Sequence, residues 1–293
     1  MEARPAVAGR RTAGAPRPAL VLLLVSCGGA AMAWGAPPRE AVVRQQPGEK
    51  LFSTGPQPQL TAFLYAPKGP GTTGRAGSPV IFYSGDWGWM PMQQDAASYL
   101  ASTGRFVLGI DSVQYFTSVE PPDVLTADLV KFRSFVNERA GRTKDSGVIL
   151  VGFAAGADLI PYLLNQTGAS GVRGAILIAP DRKGAKVLNT SVLLKMERPP
   201  EEQIDVESEL GRMAPLPVAF MEGSLDKNSA AKALSESPRG PHKYAPVAGG
   251  DHQFHEVRDA LFSLLADALR WIDETAAPAL ASPSTPQVTP PRR

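Results

Sequence analysis

Short apolar runs separated by helix-patterned segments set the rhythm of this chain. The runs are Leu60–Tyr65, Val80–Tyr83, Phe106–Ile110, Val148–Val151, Ala175–Ile178, Val218–Met221 and a weaker Tyr244–Val247. Most lack strict apolar–polar alternation, as expected of strands covered on both faces of a parallel sheet. Between them, Asp123–Ala140 places Leu125, Leu129, Phe132 and Val136 on one helical stripe, behind the start signal Pro121-Pro122-Asp123. Glu256–Glu274 does the same with Val257, Leu261, Leu264, Leu265, Ala268 and Ile272, and Pro91–Ser102 and Asp158–Asn165 are shorter helical segments. Strands alternating with helices predict an α/β fold, a doubly wound and mostly parallel sheet with helices on both faces. Residues 181–213 fit this rhythm least. They hold one further strand candidate, Ser191–Met196, and the acidic stretch Pro199–Glu209, and are expected to form an insertion or an edge strand.

The ends follow different patterns. A leader carrying Glu2, Arg4, Arg10, Arg11 and Arg17 precedes the apolar run Ala19–Val25, which is too short to span a bilayer. Basic leader, apolar run and small residues read as an export signal over residues 1–33. Ala31-Met32-Ala33 offers an ordinary cleavage site, leaving a periplasmic or secreted protein. Leu24-Val25-Ser26-Cys27 offers the alternative of a lipoprotein anchored through Cys27. Residues 34–58, rich in Pro and Gln, are expected to be a linker, residues 59–274 one domain, and residues 275–293 a disordered Pro-rich tail.

Composition excludes several classes of function. At 43% hydrophobic and 20% charged, the chain has ordinary globular content. Removing residues 1–33 takes four arginines and one glutamate, so the formal charge falls from +2 to −1. Such a balance favours no nucleic-acid or membrane-surface partner, and the mature form has no transmembrane span. Cys27 is the single cysteine, so the domain contains no internal disulfide. Metal-ligand spacing and a phosphate-binding Gly-x-x-x-x-Gly-Lys loop are absent, and no cofactor is expected.

The candidate chemistry centres on Gly152-Phe153-Ala154-Ala155-Gly156, between the run Val148–Val151 and a helix. Strand, cramped Gly-x-x-x-Gly turn and helix make the nucleophile elbow of α/β-hydrolases, Gly-x-Ser-x-Gly. Here the middle position is Ala154, whose methyl group cannot attack a carbonyl. Three other loops follow strand ends, where open α/β sheets bind ligands. Ser84-Gly85-Asp86-Trp87-Gly88-Trp89 is placed to aim backbone N–H groups at an oxyanion, with the N–H of Ala155 as second donor. The alternative there is a tight turn with Trp87 or Trp89 as core anchors. Gly223-Ser224-Leu225-Asp226 presents a carboxylate, and Gly249-Gly250-Asp251-His252-Gln253-Phe254-His255 presents a histidine before the last helix. The order of nucleophile position, acid and histidine is that of the hydrolase triad, giving Ala154, Asp226 and His252, with His255 as second choice. Ser84 and Ser224 are the hydroxyls that loop position offers as substitutes for the missing serine.

Four segments resemble the VirJ-type bacterial virulence proteins of the α/β-hydrolase superfamily. They are Phe82–Trp89, Gly109–Phe116, Gly152–Pro161 and Gly250–Phe254, in the family's order. The resemblance implies a periplasmic protein with a Ser-Asp-His site, linked to secretion-associated virulence and to hydrolysis of aminoacylated phosphatidylglycerol. It implies that Asp226 and His252 are the acid and base, and that an ester or lipid headgroup and an envelope or secretion-system protein are the partners to consider. Ala154 stands where the family's Gly-Tyr-Ser-Phe-Gly-Ala-Asp has serine, and Trp87 where Gly-Asp-Gly-Gly-Trp has glycine. The expected protein is therefore an exported hydrolase-fold accessory impaired as a serine hydrolase. The alternative is an active hydrolase in which His252 and Asp226 use water or another serine.

Overall fold

The computed structural model of the protein describes residues 49–51, 60–67, 77–188 and 198–276. The chain divides into two units, Met1–Glu40 and Ala41–Arg293. The first unit lies outside the described residues, with the expected export signal and Cys27. So do most of the expected linker, the strand candidate Ser191–Met196 and residues 277–293.

Eight strands form one sheet: β1 (Glu49–Leu51), β2 (Leu60–Tyr65), β3 (Val80–Tyr83), β4 (Val107–Ile110), β5 (Val148–Phe153), β6 (Val172–Ile178), β9 (Val218–Gly223) and β10 (His242–Val247). Their spatial order is β1-β2-β4-β3-β5-β6-β9-β10. The pairs from β4 onward are parallel, while β1–β2 and β2–β4 are antiparallel. The helices are α1 (Pro91–Ser102), α2 (Ser112–Tyr115), α3 (Pro122–Arg139), α4 (Ala155–Thr167), α5 (Val206–Arg212), α6 (Ala231–Leu234) and α7 (Arg258–Ala276). The doubly wound α/β fold expected from the apolar rhythm is the fold observed.

The continuous apolar runs are explained by two cores, one on each face. Ile81, Leu108 and Leu150 face Leu125, Leu129, Phe132, Ile160 and Leu163 from α3 and α4. Val80, Ile149 and Val151 face Met92, Leu100, Leu261, Leu265 and Ile272 from α1 and α7. Successive strand residues point to opposite faces, and burial on both requires apolar side chains at every position.

Two elements cross the expected boundaries. Glu49–Leu51, inside the expected linker, is a strand on the outer edge of β2, where it satisfies backbone groups that an open edge would leave unpaired. Helix α7 runs to Ala276, two residues into the expected tail, and buries that last side chain. Within 181–213, β7 (Lys183–Ala185) and β8 (Gln203–Asp205) pair antiparallel in a sheet of their own. No described part of the region joins the main sheet.

Candidate active site

The turn between β5 and α4 is as tight as its glycines suggest. Ala154 has φ 47° and ψ −119°, a sparsely populated positive-φ backbone that costs an L residue roughly 1–3 kcal/mol. Its N–H donates to Ile178 O at 2.8 Å, and its carbonyl accepts from Ala157 N at 2.8 Å. The two interactions hold the strained residue between a neighbouring strand and its own helix. A Cβ on Gly152 would lie 2.5 Å from Gly156 O, and one on Gly156 would lie 2.3 Å from Ser84 O. Both glycines are therefore required by close backbone approach. Ala155 opens α4, and helix geometry leaves its N–H without an intrahelical partner.

The acid and histidine loops leave the ends of β9 and β10. They are pressed together: Leu225 N donates to Gly250 O at 2.9 Å, and a Cβ on Gly223 would lie 2.3 Å from that same oxygen. Ser224 Oγ accepts from Gly249 N at 2.8 Å, which ties this hydroxyl to the loop junction. The clamp sets Asp226 against His252, with Nδ1 of the ring 2.7 Å from Oδ2. The Asp226 side chain is 1% exposed and that of His252 is 33% exposed. Asn228 N donates to the other carboxylate oxygen at 2.9 Å. With Nδ1–H held by the carboxylate, Nε2 carries the lone pair and is available as a proton acceptor. His255 instead pairs with Asp251 at 2.9 Å on the surface.

The third loop turns sharply, with Gly88 N donating to Gly85 O at 3.1 Å and Gly88 at φ +75°. It separates its two tryptophans. Trp89 stacks on Phe63 at 5.3 Å, meets Phe82 edge-on at 5.5 Å and donates from Nε1 to Tyr65 OH at 3.1 Å. Trp87 at the tip is 65% exposed. Trp89 is the core anchor, and Trp87 lines the site. Ser84 is fully buried, and its Oγ accepts from Ser112 N at 2.9 Å, which makes it a strut between the loop and α2.

These loops enclose a cavity of about 520 Å³ whose walls include Asp86, Trp87, Ala154, Ala155 and His252. Asp226 stands behind His252 and outside the lining. Neither Ser84 nor Ser224 reaches the cavity, and its described lining contains no hydroxyl or thiol side chain. The constellation can position a carbonyl before backbone N–H groups and accept a proton at His252, while Ala154 supplies no nucleophilic atom.

The opposite wall was not anticipated as functional. It comprises Asp158, Asp181, Lys183, Gly184, Ala185, Leu188, Arg198 and Asn228. Asp158, one helical turn beyond Ala154, is 5% exposed and accepts from Asp181 N at 2.8 Å. Burial pushes its carboxyl well above the usual carboxylate range; the hydrogen bond from Asp181 N–H opposes the rise, the charges of Asp181 and Asp86 add to it, and Arg198 also opposes it. Gly184 of β7 packs on Asp158, since a Cβ there would lie 2.6 Å from the Asp158 Cβ. Asp158 thus fastens the β7–β8 hairpin over the end of α4. Asp158, within the elbow segment Gly152–Pro161, was the available sequence signal. Among the described residues, no group of three His, Cys, Asp or Glu side chains is arranged to hold a metal ion. No described helix is long and apolar enough to cross a membrane.

Comparison with known proteins identifies the family and the fold. A family model described as bacterial virulence protein (VirJ) matches residues 78–272. Among solved structures, Est1E from Butyrivibrio proteoclasticus superposes with a TM-score of 0.56 at 14% identity, over 77% of this chain and 98% of that one. Thermogutta terrifontis esterase 2, in its tabun-phosphoramylated form, gives 0.56 at 17% identity, over 78% and 96%. The esterase domain of a Rhodothermus marinus protein gives 0.55 at 13% identity, over 78% and 99%. At these identities the likeness is one of fold, the α/β-hydrolase fold. No protein of curated function matches the sequence.

Proposed function

The chain belongs to the VirJ family of bacterial virulence proteins, and on that premise we propose that it binds an ester-type ligand without forming a covalent serine intermediate. In this reading Ala154 occupies the nucleophile position of a Ser-Asp-His site, Asp226 and His252 are the acid and base, and Asp86, Trp87 and Ala155 line the oxyanion side. The observation that carries it is the alanine held at φ 47° on the elbow, facing the same cavity as His252. The basic leader and apolar run within residues 1–33 support export to the periplasm, and family membership supports an accessory role in envelope or secretion-linked virulence. An ester or lipid headgroup is the ligand class, and an envelope or secretion-system protein is the macromolecular partner.

A second reading draws on the preserved pair. A 2.7 Å contact to a buried carboxylate would equip His252 to activate water directly, giving slow hydrolysis of ester or aminoacyl-phospholipid bonds. A triad stripped of its nucleophile retains roughly 10³–10⁴-fold acceleration over water in other hydrolases. Purified natural protein treated with a fluorophosphonate probe and with ester and aminoacyl-lipid substrates separates the two. Binding without labelling or turnover is the expected result. Turnover that disappears in His252→Ala, still without serine labelling, would establish the water-based alternative.

A further inference from the structure

The cavity holds two cations, and they are in different situations. Lys183 Nζ lies 2.6 Å from Asp205 Oδ2, so its charge is already paired. Arg198 forms no ion pair with a carboxylate among the described residues, and its buried Nε makes no hydrogen bond. Its backbone is fixed all the same. Arg198 O accepts from Gln203 Nε2 at 2.7 Å, and Pro199 and Pro200 follow it, which keeps the residue before them extended. A half-buried guanidinium inside a cavity, within electrostatic reach of Asp158 but in no direct ion pair among the described residues, keeps its hydrogen-bond donors available to an acceptor that enters.

We propose that Arg198 is an oxyanion-recognition residue, taking a singly charged carboxylate or phosphodiester group of the ligand that enters the cavity. The planar fork of the guanidinium matches two oxygens of either group. Single charge follows from the rest of the cavity, because Asp86 and Asp181 also line it and would repel a dianion. Asp158 does not cancel the arginine, since burial favours its neutral carboxyl. The proposal rests on the reading of this cavity as a ligand site, and it assigns the chemistry of one end of that ligand.

The test is a titration of the natural full-length protein with acetate, dimethyl phosphate and inorganic phosphate, followed by amide chemical shifts in the cavity wall. Saturable binding of acetate or dimethyl phosphate is expected, and whichever binds more tightly identifies the group. Arg198→Ala should weaken it about tenfold, and Arg198→Lys, which keeps charge without the fork, should fall between. Arg182→Ala removes an equal charge from an exposed residue outside the cavity lining and should leave binding unchanged. The proposal is overturned if the natural protein shows no saturable binding, if Arg182→Ala weakens it as much as Arg198→Ala, or if dianionic phosphate binds best. Melting curves check that each variant is folded, and the natural-protein titration decides if Arg198→Ala is not. Fluorophosphonate labelling of the natural protein is a separate readout, so failure of the non-covalent reading remains distinguishable from failure of this one.

Discussion

Ala154 takes on the strain of the elbow without the chemistry that usually accompanies it. Its positive-φ backbone is accommodated by Gly152 and Gly156, whose missing side chains let helix, strand and the Ser84 carbonyl approach. Gly156→Ala should therefore lower stability by roughly 3 kcal/mol in urea unfolding, because its neighbour is backbone and cannot yield. Asp158 makes a pH-dependent contribution. Its carboxyl keeps a proton to higher pH in the folded protein than in the unfolded chain, so folding takes up a proton across the intervening window. Stability should fall as pH rises from the ordinary carboxylate pKa through the raised folded value. Asp158→Asn retains an acceptor for Asp181 N–H and should flatten that fall; an unchanged pH profile of the urea midpoint would show that the carboxyl is not held neutral. At this scale Asp226 and His252 were legible because chain order and loop position suffice to place them. Arg198 was not, since its stretch reads only as acidic and its position depends on how the β7–β8 hairpin folds back.

Elements were legible where burial imposes a pattern. The β3 run and helix α1 were read at their observed limits, since each sits between turn residues and packs across a core face. Helix α4 was read as starting at Asp158 instead of Ala155, because Ala155-Gly156-Ala157 carries no apolar period. Strands β1, β7 and β8 have three residues each, with charged or polar positions, and helices α2 and α6 have four; such lengths hold no full period to detect. The loop after β3 shows what sequence leaves open, offering two tryptophans of equal standing. Their packing differs sharply, and so should their substitutions. Trp89→Ala removes an indole packed among Phe63, Tyr65 and Phe82 and should cost about 3–5 kcal/mol. Trp87→Ala should change stability by no more than about 0.5 kcal/mol while altering the cavity mouth. Comparable losses in urea unfolding would refute this division of roles.

For the whole molecule, the alternation of runs was enough for the fold class but not for the strand order, in which β4 lies between β2 and β3. That order brings the ends of β3, β5, β9 and β10, distant in sequence, to one edge of the sheet and around one cavity. The proposed export is checked by the mass of the protein recovered from the envelope. A mature form starting after Ala33 is expected; a lipidated Cys27 would contradict it. The central claim is that four loops still assemble a working site from which only the nucleophile is missing. Intact-mass analysis of the folded Ala154→Ser variant after fluorophosphonate treatment tests it most directly. One adduct per chain at residue 154, lost when His252→Ala is added and absent from the natural protein, is the predicted result. A folded Ala154→Ser variant that takes no adduct, or a natural protein that takes one dependent on His252, would contradict it.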